Sequence, residues 1–201
     1  MLALAIPVVL AVLIGLAFGG SLVGWDSLRL HWWKLGAASL GVQLVLFDPP
    51  VNEQPWAIAW GPWLFAMCLI GVGLVLLRNA SATPLARAAL SLAALGVGLN
   101  LLVIGANGGY MPRSTEASVA VGRPIETIID GQRFTNVGVL SDATRLPWLA
   151  DVVAEPGWLP LSNVLSIGDL LLAGGLSWWA LRLTTSVARS VGPTRARRLA
   201  E

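Results

Sequence analysis

The stretch Ala88–Ala106, with the sequence AALSLAALGVGLNLLVIGA, decides how this chain folds. It contains no charged residue, and Asn100 is its one strongly polar side chain. A helix of roughly 20 apolar residues crosses a bilayer core about 30 Å thick. The stretch therefore predicts a transmembrane helix. Because an amide in hydrocarbon needs a partner, Asn100 predicts that one face of this helix contacts other protein.

Four further apolar segments predict spans on the same grounds, and they comprise residues 1–20, 35–47, 56–77 and 162–181. The shortest, 35–47, reaches spanning length only when Trp32 and Trp33 are included. We expect an all-α integral membrane protein with about five transmembrane helices, and a four-span alternative omits the segment 35–47. The composition agrees, because 56% of the 201 residues are hydrophobic and 12% are charged. These values exclude a solvated globular enzyme and a disordered chain.

The chain divides into four parts by these patterns. Residues 1–107 form a four-helix transmembrane part, in which residues 22–34 have apolar side chains at helical spacing and predict an interfacial amphipathic helix. Residues 108–161 form an extracytoplasmic loop, called the cap below. Residues 162–182 form the fifth transmembrane helix, and residues 183–201 form a basic cytoplasmic tail.

The cap is long enough to fold on the outward surface. Ser114 predicts the start of a helix that runs to Ala120, with Gly122 just past its end. Residues 125–129 and 134–140 predict a β-hairpin around Asp130-Gly131. Ser141 predicts the start of a second helix that contains Asp142, Arg145 and Trp148, although Pro147 limits its regularity.

Basic residues are distributed unevenly between the two sides of these spans. With the N-terminus outside, residues 21–34, 78–87 and 182–201 are cytoplasmic, and they carry nine of the thirteen basic residues against two acidic ones. The outward segments carry four Arg against eight carboxylates. Because short cytoplasmic segments are enriched in Arg and Lys, this split predicts an N-terminus outside and a C-terminus inside. In the four-span alternative both termini are cytoplasmic.

The chain offers little chemistry for catalysis or metal binding. One Cys (Cys68) and one His (His31) exclude an intrachain disulfide, a Cys/His zinc cluster and a bis-His haem site from this chain alone. Nucleophile–base pairs, phosphate-binding loops and dinucleotide fingerprints are absent from the sequence. We therefore expect no catalytic residue, no metal site, no cofactor and no nucleic-acid partner. His31 is either an interfacial histidine or a ligand to a pigment or haem in a larger complex.

Three segments in the second half resemble one known family. Residues 100–112, NLLVIGANGGYMP, resemble its helix-ending LNxxVxxANGGxMP signature. Residues 144–151, TRLPWLAD, resemble its TRLxxLxD segment, and residues 166–169 resemble its SIGD motif. The family comprises small bacterial membrane proteins and is known as a domain of unknown function, number fifty-three seventeen. Pro147 departs from its pattern. The resemblance implies a protein of the bacterial inner membrane and implies no activity, because none is established for the family.

A polar cluster near the outward helix ends is the candidate site, and its residues are Asn100, Asn107, Arg145, Asp151 and Asp169. Asp169 is the one carboxylate within a predicted span. It is either a helix-capping residue paired with Ser166 or a group that binds a ligand, a proton or a partner. Arg145 either pairs with Asp142 or reaches Asp151 or Asp169.

We predict that Asn107, Arg145 and Asp169 share one cluster beneath the cap. The absence of catalytic residues from the sequence favours a non-catalytic accessory, scaffold or assembly component of a membrane complex. The expected partners are the lipid bilayer and another membrane protein. The alternative is a small-ligand or lipid binding or transport protein with a polar outward site between the fourth and fifth helices. A third hypothesis is a membrane enzyme that acts on lipid or isoprenoid, and Asp169 is the one residue that supports it.

Overall fold

The computed structural model describes residues 2–26, 28–81, 84–129, 131–159 and 162–190. Most of these residues are helical: α1 (Leu2–Ala17), α2 (Val23–Asp26), α3 (Trp33–Phe47), α4 (Pro55–Ala80), α5 (Pro84–Ala106), α6 (Thr115–Ala120), α7 (Ile125–Ile128) and α8 (Ile167–Ser190). Short strands lie between α5 and α8: β1 (Met111–Arg113), β2 (Val137–Val139), β3 (Val153–Ala154) and β4 (Val164–Leu165). The prediction of a mostly helical chain is confirmed.

Two helices, α4 and α5, are long and apolar enough to cross a membrane by length and composition. The helices α1 and α3 are apolar but shorter, with 16 and 15 residues. The helix α8 has 24 residues, which include Asp169 and Arg182. Each of the five predicted segments therefore contains a helix. Over the described residues, however, length and composition support two spans rather than the predicted five.

The most extensive helix contacts link the long helices in the order α3, α4, α5, α8, α1. Asn79 at the end of α4 is hydrogen-bonded to His31, which precedes α3, so these two helices are antiparallel. Asn100 in the second half of α5 bonds to Asp169 at the start of α8, and Gly175 further along α8 faces Ala89 near the start of α5, so this pair is antiparallel too. The end of α1 meets the end of α8, where the Ser21 N–H donates to the carbonyl of Thr184 at 2.9 Å. The helices α1 and α8 therefore run in the same direction.

The contact between α5 and α8 is close because glycines face backbone atoms across it. A Cβ atom on Gly175 would lie 2.5 Å from the carbonyl oxygen of Ala89, and a Cβ on Gly96 would meet the backbone at the start of α8. Gly96 therefore lies at the tight contact between the two helices. A Cβ on Gly98 or Gly105 of the same helix would have no such atom within 4 Å, so these two glycines face open space.

The cap is attached to the helices by strands and by aromatic rings. The strand β1 pairs with β2 in parallel, with Met111 opposite Val137, and β3 pairs with β4 in antiparallel orientation. Phe134 of the cap stacks on Phe47 at the end of α3, with 5.5 Å between the ring centroids. The ring of Phe47 also meets the edge of Phe65 in α4 at 5.4 Å. This aromatic cluster fixes the cap to α3 and α4.

The predicted interfacial helix over residues 22–34 is wrong, because α2 lasts for a single turn. The side chain of Asn79 bonds to both backbone groups of His31: the His31 N–H donates to Oδ1 at 2.9 Å, and Nδ2 donates to the His31 carbonyl at 2.9 Å. Trp32 then adopts a left-handed backbone with φ 58°. Since a side chain has taken the hydrogen bonds that a helix would make, the helix cannot continue to α3.

In the first part of the cap, one prediction is confirmed and one is wrong. Ser114 caps α6, and its Oγ accepts the Ala117 N–H at 3.2 Å. The predicted hairpin over 125–129 and 134–140 is absent from the described residues, because 125–128 form α7 and β2 pairs with β1 instead. Pairing with β1 lets Phe134 reach the aromatic cluster. Asp130 of the predicted bend lies outside the described residues.

The second cap helix predicted from Ser141 is also wrong. A turn follows Ser141, and a 3-10 helix of three residues, Pro147–Leu149, comes after it. Leu146 before the proline has φ 55°, which no regular helix contains. The fifth long helix begins at Ile167 rather than at 162, because β4 precedes it. Residues 183–190 of the predicted tail are helical and form the end of α8. Residues 191–201 of the tail lie outside the described residues.

Candidate functional site

The helix α8 begins with a reciprocal cap that is tied to α5. The Ser166 hydroxyl accepts the Asp169 N–H at 3.0 Å, and Oδ2 of Asp169 accepts the Ser166 N–H at 3.0 Å. Asn100 of α5 donates from Nδ2 to Oδ1 of Asp169 at 2.8 Å, and its Oδ1 accepts the Ser166 hydroxyl at 2.9 Å. The capping role of Asp169 and the contact of Asn100 with protein are confirmed. Each oxygen of Asp169 receives one uncharged donor.

A buried ion pair between Arg113 and Asp151 lies beside this cap. The Nη2 and Nε groups of Arg113 donate to Oδ2 of Asp151 at 3.0 and 3.2 Å. The two side chains are 9% and 6% exposed. Their backbones are paired as well, because the Asp151 N–H donates to the Pro112 carbonyl and the Ser114 N–H donates to the Asp151 carbonyl, both at 2.9 Å. The strand geometry therefore fixes the ion pair.

The second oxygen of the Asp151 carboxyl is not satisfied. Within the described residues, Oδ1 is buried and has no hydrogen-bond partner. Burial raises the pKa of Asp151 to about 7; the positive charge of Arg113 opposes this rise, and the negative charge of Asp169 adds to it. A carboxyl with a pKa near neutrality can accept a hydrogen bond when ionised and donate one when protonated.

A cavity of about 240 Å³ lies between α5, α8 and the cap, and Oδ1 belongs to a residue of its wall. The polar residues of the wall are Asn100, Arg113, Asn136, Asp151, Asn163 and Asp169. Its apolar residues include Phe47, Phe65, Leu69, Val97 and Leu172. A space with a few polar groups on an apolar wall is typical of sites that bind small molecules.

The structure brings three of the five predicted site residues together and separates the other two. Asn100, Asp151 and Asp169 line the cavity, whereas Asn107 and Arg145 are not among its described lining residues. The amide of Asn107 bonds to the backbone of Arg145: Nδ2 donates to its carbonyl at 2.8 Å, and Oδ1 accepts its N–H at 2.9 Å. The side chain of Arg145 is exposed. The expectation that Arg145 supplies the cation of the cluster is therefore corrected.

The cation of the site is Arg113, which the sequence analysis did not select. It directly follows the segment 100–112, and its partner Asp151 ends the segment 144–151. This position of both residues beside segments that resemble the family is the signal that could have identified the pair. The amides of Asn136 and Asn163 were missed for another reason, since nothing in their local sequence brings them to the ends of the helices.

The site has no described cluster of metal ligands. Among the residues that the structure describes, no group of three or more His, Cys, Asp or Glu side chains is placed to hold a metal ion. His31 is exposed and lies at the opposite ends of the helices, and Cys68 is a buried free thiol within α4. The polar groups of the residues that line the cavity are two carboxyls, one guanidinium and three amides.

The comparisons with known proteins cover this site. A family model described as a family of unknown function, DUF5317, matches residues 27–181, which contain α3 to α7, most of α8 and every residue of the cavity wall. No curated protein and no solved structure gave a significant match to the chain.

Proposed function

The chain belongs to the DUF5317 family, and from this premise we propose that it is an integral membrane protein that binds a small amphiphilic molecule beneath the cap. The observation that carries the proposal is the cavity itself, whose wall joins the polar side chains of Asn100, Asp151 and Asp169 to the apolar side chains of Phe47, Phe65 and Leu172. A molecule with a polar and an apolar part matches a wall of this kind.

In this proposal all five long helices cross the membrane. Large apolar side chains are exposed on the outer surface of each of them, for example Leu13, Leu44, Trp63, Leu102 and Leu170. Exposed apolar surfaces of this kind are stable when they contact lipid tails instead of water. With 16 residues, α1 is about 24 Å long at a rise of 1.5 Å per residue. Local thinning of the bilayer accommodates a span that is shorter than the hydrocarbon core.

We place the protein in the bacterial cytoplasmic membrane with the cap and the N-terminus outside and the C-terminus inside. Two features support this orientation. The helices α1 and α8 run in the same direction, so the start of α1 and the cap are at the same ends of the helices. The segments that the sequence analysis assigns to the cytoplasm carry nine of the thirteen basic residues.

The experiment is to identify what the protein retains. Wild-type protein is purified in a mild detergent, and the bound small molecules are extracted and measured by mass spectrometry. Leu172→Trp places a larger side chain into the cavity, whereas the matched variant Leu170→Trp places the same side chain on an exposed position of α8. We expect one class of molecule to be retained by the wild type and by Leu170→Trp and to be lost from Leu172→Trp. Equal retention by all three proteins would contradict the proposal.

A second candidate function is that of an accessory subunit in a membrane complex. It is favoured by Trp158 of the cap, which is 81% exposed, and by the exposed Trp148. Exposed aromatic side chains are enriched at protein interfaces. Trp158→Ser should then remove a stoichiometric partner from the purified protein, while Val119→Ser on the exposed side of α6 should leave the partner bound. Purification of the wild type without a stoichiometric partner would argue against this function.

A further inference from the structure

Three arginines of the cap line one space. The segments that the sequence analysis assigns to the outside carry four arginines and eight carboxylates. Arg113, Arg123 and Arg133 line a second cavity, which has a volume of about 390 Å³ and lies between the cap and the end of α3. None of the described residues of its wall is an Asp or a Glu. Because Arg and Lys are enriched in cytoplasmic segments, a group of outward arginines in one wall needs a local cause.

Separate parts of the cap bring these arginines together. Arg113 belongs to β1, Arg123 follows α6, and Arg133 precedes Phe134. Phe134 is tied to the loop after α3, since its N–H donates to the carbonyl of Asn52 at 2.6 Å. The grouping is therefore a property of the folded cap and not of a basic run in the sequence.

The described wall of this second cavity has an excess of positive charge. Arg113 is balanced by its ion pair with Asp151. The side chain of Arg123 is exposed, and within the described residues it has no ion-pair partner. The wall also includes Asn136 and Asn163, whose side-chain amides are hydrogen-bond donors. An anion that enters this space therefore meets a guanidinium whose charge is not compensated.

We propose that the second cavity binds a phosphate group, with the guanidinium of Arg123 as its principal cation. Guanidinium groups bind phosphate oxygens through paired, charge-assisted hydrogen bonds. A phosphate has more oxygens than a carboxylate, so it can accept bonds from arginines and amides at the same time. A volume of about 390 Å³ equals that of about thirteen waters in the liquid, and it therefore holds a phosphate together with the glycerol of a lipid, which have about ten non-hydrogen atoms.

The position of the cavity favours a phospholipid over free phosphate as the source of this group. Phe47 of its wall is the last residue of α3, and Leu44 and Val45 in the last turn of that helix are exposed. In the proposed function α3 is a membrane span, which places its end at the level of the lipid headgroups and the two exposed side chains against acyl chains. The lipid source rests on the proposed function, whereas the recognition of phosphate does not.

The test compares two fluorescent lipids, phosphatidic acid and diacylglycerol, that have the same labelled acyl chains. The full chain in dodecyl maltoside is titrated, and fluorescence anisotropy reports the bound fraction. We expect the wild type to bind phosphatidic acid at least tenfold more tightly than diacylglycerol, because only phosphatidic acid has a phosphate. Inorganic phosphate is titrated separately by calorimetry. Binding of phosphatidic acid alone assigns the site to a lipid, and binding of inorganic phosphate that depends on Arg123 assigns it to free phosphate as well.

Two arginine variants test the site itself. Arg123→Gln removes a cation of the wall, whereas the matched variant Arg145→Gln removes the exposed arginine of the cap that is not among the described residues of this wall. We expect Arg123→Gln to weaken phosphatidic acid at least tenfold and Arg145→Gln to bind it like the wild type. The comparison of the two lipids tests the inference even if Arg123→Gln does not fold. Equal weakening by the two variants, or no preference for phosphate in either assay, would overturn the inference.

A third variant separates this site from the first cavity, with which it shares part of its wall. Leu172 is among the described lining residues of the first cavity and not of the second, so Leu172→Trp should bind phosphatidic acid like the wild type. Loss of phosphatidic acid from Leu172→Trp but not from Arg123→Gln would place the lipid in the first cavity; the inference then fails and the proposed function stands. If phosphate binding depends on Arg123 and no retained molecule depends on Leu172, the proposed function fails and the inference stands.

Discussion

The carboxyl of Asp151 makes folding stability depend on pH at the scale of a single residue. Its pKa in the folded protein is about 7, above the value of about 3.9 for Asp in an unfolded chain. Between about pH 4 and pH 7 the folded state binds one proton more than the unfolded state, so this group stabilises the fold at low pH and the contribution is lost as pH rises through 7. The complete shift corresponds to about 4 kcal/mol as an upper bound.

We therefore expect the wild type to have a higher unfolding temperature at about pH 5 than at about pH 8. Thermal unfolding in detergent across this range measures the effect. Asp151→Asn should remove most of the difference because its amide does not titrate, whereas Asp142→Asn should keep it. An unfolding temperature that rises from pH 5 to pH 8 in the wild type, and rises equally in Asp151→Asn, would be inconsistent with a raised pKa at this site.

Asn100 connects α5 to the start of α8 through two hydrogen bonds. Asn100→Leu leaves Oδ1 of Asp169 and the hydroxyl of Ser166 without these partners, so we expect a loss of about 1–3 kcal/mol in the free energy of unfolding. Leu95→Ala, at an exposed position of the same helix, is the matched control and should cost less. Unfolding in detergent, followed by temperature or denaturant, gives the comparison. An unchanged or raised stability of Asn100→Leu would show that these bonds contribute nothing.

At the scale of helices, the interface between α5 and α8 depends on one of two adjacent glycines. A Cβ on Gly175 would lie 2.5 Å from the Ala89 carbonyl oxygen and 2.6 Å from the Ala93 nitrogen, and these are backbone atoms that cannot move aside. Gly175→Ala should therefore destabilise the protein by about 1–3 kcal/mol. Gly174 has nothing within 4 Å of the same position, so Gly174→Ala should be neutral or slightly stabilising. Unfolding temperatures of the two variants that agree within error would contradict this packing.

The elements that could be predicted from the sequence are those whose cause is local. An uncharged run predicts α5, and the spacing of Ser114 from α6 and of Ser166 from Asp169 predicts two caps, because the interacting residues are three or fewer positions apart in the chain. Part of the candidate site can also be predicted from the sequence, because Asn100 and Asp169 are polar residues inside apolar helices.

The elements that could not be predicted depend on partners far away in the chain. The strand β2 pairs with β1 rather than with its neighbour in sequence, and Arg113 meets Asp151 across 38 positions. Two asparagines act in the same way on apparently helical segments: Asn79 bonds to the backbone of His31, and Asn107 bonds to the backbone of Arg145. A side chain that takes backbone hydrogen bonds over such distances leaves no signal in the local pattern.

For the whole molecule, we expect the N-terminus outside and the C-terminus inside the cell. The direction of α1 relative to α8 and the charge bias both lead to this arrangement. Reporter fusions at Met1 and at Glu201, each scored for cytoplasmic or external activity, test it, and a fusion in the cap near Gly131 serves as an external reference. Cytoplasmic signals from both termini would favour the four-span alternative instead.

The position of α1 beside α8 has a consequence for synthesis of the protein. The extensive contacts of α1 are with α8 and not with α3, which follows it in the chain. A ribosome makes α1 before α3, α4, α5 and the cap, and it makes α8 after all of them. The helix α1 therefore has to wait for its main partner until these elements have been translated. The docking of α1 against α8 is then a late step of assembly, and a chain that stalls within the cap leaves α1 without that partner.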